Sequence, residues 1–378
     1  VLRKCKMIRA HKIRLKPNNN QATYFAKACG IARFAYNWGL AEWKRRYEMG
    51  EQVNERILRK SLNSIKREQF PWMYEVTKCA PQLAIKNNLN SAFRNFYRGL
   101  KQGEQVGFPK FHKKGIKDSF SLSNDQFQLK EKSVQIPNLG WVRLAEELRF
   151  EGKIMGATVS RTADKWFIAI QVEMPNEPIP KRESQAVGVD LGVKVLATLS
   201  EGTSITGSKA SRKYEKQLRH INQSFSRKTG AKKGEKKSSN FVKTKRKLSR
   251  LYAKMANLRN DGTHKLTTML VQNYTLIGIE DLNVKGMMSN HKLARSVADM
   301  SFFEFRRQLE YKALTAGTQI IVADRWFPSS KTCSACGIVK TKDELTLSMR
   351  TYECSCGFVC DRDVNAAINL RNYALKHA

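Results

Sequence analysis

Along NNNQATYFAKACGIARFAYNWGLAEWKRRY the apolar residues Phe25, Cys29, Ala32, Tyr36, Leu40, Trp43 and Tyr47 recur at intervals of three and four. That period predicts an amphipathic helix. Val53, Ile57, Leu58, Leu62 and Ile65 predict a second helix, and Leu89, Phe93, Phe96 and Leu100 a third that starts after Pro81. Residues 16–103 thus read as a helical module. Its aromatic residues keep the helical spacing, so they read as core filling rather than as a surface for stacked bases.

The period then changes. QGEQVGFPKFHKKG is punctuated by Gly and Pro, and SFSLS, QFQLK, SVQIP, WVRLA and KIMGATVSRTADKWFIAIQVEMP alternate apolar with polar residues. Period two with short turns predicts an antiparallel sheet or barrel, with basic residues on the face opposite the apolar ones. MIRAHKIRLKP near the start has the same texture, so residues 7–15 are expected to add a strand, with the helical module inserted after it. Pro-rich MPNEPIPKRESQ (174–185) reads as a linker.

Beyond the linker, AVGVDLGVKVLATLSEGTSITG predicts a buried strand ending at Asp190, a second strand from Val193 to Leu199, and a tight turn into a third. Two basic segments with helical spacing follow: Tyr214, Leu218, Ile221 and Phe225, then Leu248, Leu251, Met255 and Leu258. RKTGAKKGEKKSS between them reads as a loop. TLIGIEDLNV predicts a buried strand ending at Glu280, FFEFRRQLEYKALTAG a helix closed by Gly317, and TQIIVADRWFPSS another strand. The order of three strands, helices, strand, helix, strand, cysteine-rich insert and helix is a mixed α/β layout compatible with a ribonuclease H-like fold.

Charge narrows the partners. Sixty-nine Lys and Arg face 33 Asp and Glu over 378 residues, a net charge of +36. An excess of that size points to a polyanion, nucleic acid before an anionic membrane. Residues 208–260 concentrate it, with 18 Lys or Arg against Glu215 and Glu235. No run approaches the roughly 18 apolar residues of a membrane span, and no secretory signal opens the chain. The expected setting is intracellular, where disulfides are rare. Cys5, Cys29 and Cys79 then read as small core residues, and the five cysteines between 333 and 360 as a metal site.

Acids at three places stand out in this basic chain. Asp190 and Glu280 each end an apolar strand, and CDRDVNAAINLR offers Asp361 and Asp363 at the start of the last helix. Carboxylates are the hard oxygen ligands of magnesium, and two such ions about 4 Å apart clamp an in-line displacement at phosphorus. Each acid also has a plainer reading: Asp190 as a turn cap, Glu280 displaced by its neighbour Asp281, and either Asp361 or Asp363 as a helix N-cap. An acid ending an apolar strand is costly unless it is paired or metal-bound. Together, in a chain this basic, the acids favour the metal.

Cys333 and Cys336 form one close pair, and Cys354 and Cys356 another. Four thiolates in two pairs suit a structural, tetrahedral zinc ion that holds an insert too small for its own core. One residue separates the second pair, so Cys360 is a reserve ligand for Cys354 or Cys356. The Cys-Gly at 356–357 mirrors that at 336–337 and favours Cys356.

In order, GVDLGVKVLATLS, IGIEDLN, FPSSKTCSACG and CDRDVNAAINLR resemble the RuvC-type motifs of the TnpB family of transposon-encoded proteins, relatives of the smallest type V CRISPR effectors. RLKPNNNQ, ARFAYNWGL and GFPKFHKKG resemble the family's N-terminal half, so the likeness spans nearly the whole chain. The resemblance implies an RNA-guided DNA endonuclease. A transposon-end guide RNA (omega RNA) pairs with double-stranded target DNA beside a short adjacent motif, and one RuvC site cuts both strands. The implied catalytic and magnesium-binding residues are Asp190, Glu280 and Asp363, with two Mg2+ ions or Mn2+ as substitute, and Asp361 as the cap.

The implied architecture is α/β and α+β multidomain. Residues 1–15 and 104–180 form a wedge-type β-barrel, 16–103 the inserted helical recognition module, and 181–329 and 359–378 a ribonuclease H-like RuvC nuclease. Residues 330–358 form its zinc-binding insert. The protein is expected to be monomeric in a cytoplasmic, prokaryotic ribonucleoprotein with no membrane partner. Two alternatives stand beside this: a nuclease-inactive RNA-guided repressor, a binding module that would have lost an acid, and a DDE-type transposase, which would use the same metal chemistry but which the barrel and the thiolate insert disfavour.

Overall fold

A computed structural model describes residues 6–175, 185–228, 237–341, 343–346 and 348–378. The expected linker at 174–185 and the basic loop after Arg227 lie mostly outside the described residues. The chain is a mixed α/β protein that divides into two compact units, residues 1–176 and 177–378.

The first unit begins with β1 (Lys6–Lys16), which runs straight into α1 (Asn19–Glu48). RLKPNNNQ makes that junction. Pro17 ends the strand, and Asn18 and Gln21 form a capping box: Asn18 Oδ1 accepts from Gln21 N–H (2.8 Å) and Gln21 Oε1 from Asn18 N–H (3.0 Å). Next come α2 (Glu55–Gln69), capped by Asn54, then α3 (Cys79–Leu83), a π-helical turn (Ala84–Leu89) and α4 (Asn90–Lys101). The third helical stretch therefore starts before Pro81. Proline is tolerated there because the first turn leaves N–H groups without helical partners.

Phe25, Cys29, Ala32, Tyr36, Leu40, Trp43, Leu58, Leu62, Leu89 and Phe93 are buried as their periodicity predicts. Tyr47 and Leu100, read as part of the same stripes, are exposed: each lies in the last turn of its helix, beyond the packed face. Two motifs of the chain meet here. Asn37 holds the backbone of His112 through both its amide atoms (2.8 and 3.0 Å), and Tyr36 stacks on the His112 ring at 3.7 Å.

Seven antiparallel strands complete the unit: β1, β2 (Ser119–Ser123), β3 (Gln128–Lys130), β4 (Ser133–Ile136), β5 (Gly140–Leu144), β6 (Lys153–Thr162) and β7 (Lys165–Pro175). Their order is β2-β6-β7-β1-β5-β4-β3, so β1 pairs with β7 on one side and β5 on the other. Along β1, His11, Ile13 and Leu15 face the core, while Lys12, Arg14 and Lys16 face out. Among the described residues no ladder joins β2 to β3, so the hydrogen-bonded order is that of an open sheet rather than a closed barrel.

The second unit is built on β8 (Ala186–Asp190), β9 (Ala197–Leu199) and β10 (Ser204–Ile205), followed by α5 (Ala210–Lys213), α6 (Glu215–Arg227) and α7 (Ser239–Asn273). The second strand is shorter than expected because Gly192 N–H bonds Leu196 O, folding residues 192–196 into a turn. Then come β11 (Leu276–Ile279), α8 (Val284–Ser289), α9 (Ala294–Met300), α10 (Phe302–Ala316) and β12 (Gln319–Val322), and last the hairpin β13 (Thr351–Glu353)/β14 (Val359–Asp361) and α11 (Arg362–His377). Gly317, at φ +67°, closes α10 as predicted. The sheet order is β10-β9-β8-β11-β12; β8, β11 and β12 are parallel, and β9 and β10 antiparallel. Among the described residues, no helix is long and apolar enough to cross a membrane.

Candidate active site and thiolate centre

β8 and β11 run side by side in register, Val187 beside Ile277 and Val189 beside Ile279. Their apolar side chains are buried, as suits parallel strands covered on both faces. Asp190 and Glu280 are the next positions of each strand, so the register itself sets two carboxyl groups together at one sheet edge. Such carboxyl ends of parallel strands are where α/β proteins gather their sites.

The third acid arrives on α11, which lies against the backbone of both strands. A Cβ on Gly188 would sit 1.8 Å from Ala367 O, and one on Gly278 2.3 Å from Leu370 O. Any side chain at either glycine would push the helix away. Asp361 caps that helix, its Oδ1 accepting from the N–H groups of Asp363 (2.8 Å) and Val364 (3.2 Å). Asp363 is left in the first turn with its carboxyl free of capping work.

Electrostatics separates the acids from their neighbours. Burial pushes the Asp190 carboxyl well above its usual range, and the charges of Glu280 and Asp363 add to the effect, with Arg362 opposing it. Glu280 is raised by burial too, and a hydrogen bond donated by Ser329 Oγ works against the rise. Asp281 goes the other way. Hydrogen bonds from Arg325 (3.0 and 2.5 Å) and Arg306 (2.7 Å) hold it below the usual carboxylate range and occupy both its oxygens. Of the two adjacent acids, Glu280 is the one left for other work.

The cysteines form a tighter set. The sulfurs of Cys333, Cys336, Cys354 and Cys356 all lie within 4.8 Å of one another, with Cys333 Sγ 3.8 Å from Cys356 Sγ and Cys336 Sγ 3.6 Å from Cys354 Sγ. They are four ligands placed for one metal ion. The two halves match despite their unequal spacing. Gly337 N–H bonds Cys333 O and Gly357 N–H bonds Cys354 O, both at 2.9 Å, and both glycines take positive φ (+82° and +87°). Cys360 is outside the set, its thiol donating to Asp361 O.

An N–H from Cys356 and the nearby thiols pull Cys354 down to about 6. Cys336, although the N–H of Ile338 favours its thiolate, is driven up to about 12 by lost solvent and three neighbouring sulfurs. Held as thiolates at this spacing, the four would need a cation between them. Among the described residues the insert's buried apolar cluster is small: Cys333, Leu345 and Tyr352.

Two asparagines join the centres. Asn365 Nδ2 donates to Thr332 O (2.7 Å) and its Oδ1 accepts from Ser334 N–H (3.0 Å); Asn369 Nδ2 donates to Ser329 O (2.8 Å) and Thr332 O (2.6 Å). Both are buried on α11. A polar path therefore runs from the thiolate knuckle through α11 to Ser329 and Glu280. Sequence reasoning missed Gly188, Gly278, Ser329, Asn365 and Asn369. The asparagines carried a signal: four residues apart, they share a helix face that is otherwise apolar.

The basic segment forms α6 and α7, packed through Leu251, Met255 and the partly buried Tyr214, Leu218, Ile221 and Leu258. An open depression of about 280 Å³ on it is lined by Lys228, Lys243, Arg246, Lys247 and Arg250, which suits phosphate.

Comparisons with known proteins bear on the chain as a whole. Three family models match: one described as "Probable transposase" over residues 169–291, a "Cas12f1-like, TNB domain" over 302–370, and a "Helix-turn-helix domain" over 7–52. A "Putative RNA-guided DNA endonuclease" of Streptomyces pristinaespiralis is 35% identical, the alignment covering 96% of this chain and 88% of that protein. "Putative RNA-guided DNA endonuclease InsQ" of Escherichia coli K12 is 32% identical, covering 97% and 92%. Among solved structures, the Cas12f1-sgRNA-target DNA complex matches at a TM-score of 0.55 and 14% identity, over 94% of this chain and 83% of that one, a likeness of fold. Near full-length similarity at this level identifies the chain as a member of the TnpB family of transposon-encoded proteins.

Proposed function

We propose that the protein is an RNA-guided DNA endonuclease that cuts both strands of its target, one after the other, with a single RuvC-type site of Asp190, Glu280 and Asp363. What supports this reading most is the convergence of three acids, 90 and 83 residues apart in sequence, on one sheet edge of a chain carrying +36. The sheet order, with three parallel strands and two antiparallel ones, is that expected of a ribonuclease H-like nuclease.

The donor set suits magnesium, or manganese in its place: it is all carboxylate, and Asp190 is strained by like charge that a cation would relieve. Bound there, two such ions supply an activated water and neutralise the leaving 3′ oxygen. The chain's own residues do the rest. The Ser329 hydroxyl fixes the Glu280 carboxylate, and Asp361 caps the start of α11, which carries Asp363 in its first turn.

Cys333, Cys336, Cys354 and Cys356 hold a structural zinc, because four thiolates leave no open position for substrate. In this reading the seven-stranded sheet is the wedge and the helices between β1 and β2 the recognition module. With the α6/α7 pair they grip the RNA and DNA backbones. A transposon-end guide RNA supplies specificity by base pairing beside a short adjacent motif. The particle carries one protein copy and acts in the prokaryotic cytoplasm.

The test is to express the protein with its native transposon-end RNA, sequence the RNA that co-purifies, and challenge the particle with a plasmid library of randomised flanks around a matching target. Guide-dependent, magnesium-dependent cutting beside one enriched motif is expected. Bound RNA and tight target binding with no cutting would make the protein a repressor. No bound RNA, with DNA joined as well as cut, would make it a transposase.

A further inference from the structure

Trp326 is 85% exposed, although the segment carrying it is tied down on both sides. Ahead of it, Ala323 N–H bonds the carbonyl of Ile279, the residue before Glu280 (2.8 Å), and Arg325 grips Asp281, the residue after it. Trp326 N–H itself donates to Asp324 Oδ1 (2.8 Å). Behind it, Phe327 packs on Tyr373 of α11 at 4.8 Å, and Ser329 donates to Glu280. Exposed apolar side chains scattered singly are ordinary on protein surfaces. This one is fixed in place, and apart from the local bond to Asp324 every tether leads to Glu280, its neighbours in the chain, or α11.

We propose that Trp326 is a stacking platform for an unpaired nucleobase of the DNA strand being cut, a role that rests on the nuclease reading above. An indole face can meet a base only where the base has left its own stack, so a duplex offers it nothing and a single strand does. The scissile phosphate must lie at the acids, and the tethers keep the indole near them. That selects the strand in the site over the guide RNA paired elsewhere. The depression beside Trp326, about 460 Å³, is lined by Asp281, Arg306, Asp324 and Arg325. Both arginines are engaged by carboxylates, Arg306 by Asp281 and Glu310 and Arg325 by Asp281, so they brace the segment rather than hold a phosphate. Contact with the strand falls to the ring. Stacking is indifferent to sequence, which a nuclease addressed by base pairing requires.

The experiment uses the guide-loaded particle. In the Asp190→Ala background, 2-aminopurine is placed in turn at successive positions of each target strand and of the guide. Quenching at a position of a DNA strand that is lost on adding Trp326→Ala is expected; quenching that Trp326→Ala removes from the guide instead overturns the assignment. In the active protein, Trp326→Ala is expected to slow cutting about tenfold with target affinity unchanged. Trp326→Tyr should retain most of the rate. Equal rates for parent and Trp326→Ala, or equal losses in the alanine and tyrosine variants, overturn the platform alone. A parent particle that does not cut a matched target overturns the nuclease reading and the platform with it.

Discussion

In residues 1–176 the interior is one apolar body reaching from Ile13 to Val172, and His11 and Thr77 are the polar side chains buried there among the described residues. In residues 177–378 the apolar contacts break into separate clusters, around Val187 to Leu309, around Leu251 and around Cys333. Between them lie buried Ser211, Asp299, Gln308, Ser329, Asn365 and Asn369. Asp299 shows what these groups do: it accepts from Ser211 N–H (2.9 Å) and Oγ (2.8 Å), fixing α5 against α9. Apolar contacts are non-directional and forgiving, whereas a buried polar group is satisfied in only a few arrangements and costs about 1–3 kcal/mol when left alone. One unit is held chiefly by amount of contact, the other by direction of contact. The directional one carries the acids.

The contrast is sharpest at Asp190. Asp190→Ala is expected to abolish cutting while guided target binding persists. Because it removes a carboxyl that burial disfavours, the metal-free protein should melt no lower than the parent. Magnesium-dependent cutting by this variant would reject the triad.

Next comes Cys333→Ser. It should lower zinc content and loosen residues 330–358, and through Asn365 and Asn369 disturb the start of α11. Hydrogen exchange should rise at 329–334 and 361–369 and stay unchanged in residues 6–175. An unchanged zinc content would refute the ligand assignment.

Packing variants probe the two units by the same means. Phe25→Ala should cost the first unit about 3–5 kcal/mol, spread over its core, with zinc binding intact. Gly188→Ala should cost about 1–3 kcal/mol, concentrated between β8 and α11, and should depress cutting beyond its effect on stability. Differential hydrogen exchange separates the two patterns; equal, delocalised losses would erase the contrast.

The smallest effect is at Lys312. Burial pulls its ammonium down to about 8 from 10.5 while it donates to His264 O, Thr267 and Thr268. Between those values the unfolded chain holds the proton more than the folded one, so this group's contribution to stability rises with pH. The melting temperature of the parent should gain on that of Lys312→Met from pH 8 towards 10. A flat difference would mean that the lysine is not desolvated.

Periodicity made the first unit legible nearly residue by residue, because period 3.6 and period two report burial, and burial is what holds that unit. It failed at Tyr47 and Leu100, where a stripe outruns its partner. In the second unit the same reading found the strands that lead to Asp190 and Glu280 and the helices of the basic segment. It overextended β9, since alternation cannot distinguish a strand from the turn that Gly192 closes. The cysteine pairs were legible from spacing, with Cys354 preferred and Cys360 in reserve, and the fold brings the four sulfurs together and leaves Cys360 outside them. Asp361 and Asp363 could be told apart only by resemblance, because capping depends on which residue has helical backbone angles. The glycine contacts and asparagine ties join segments far apart in sequence, and nothing local announces them.

The bare backbones at Gly188 and Gly278 also order events in time. A ribosome adding about 5–20 residues per second makes every strand of this sheet before it makes α11. Until that helix emerges, the strands present a glycine track with nothing lying in it, and two acids without their third. A nascent chain is therefore a safe chain: in the proposed nuclease, the power to cut waits for a helix made after every strand that it completes.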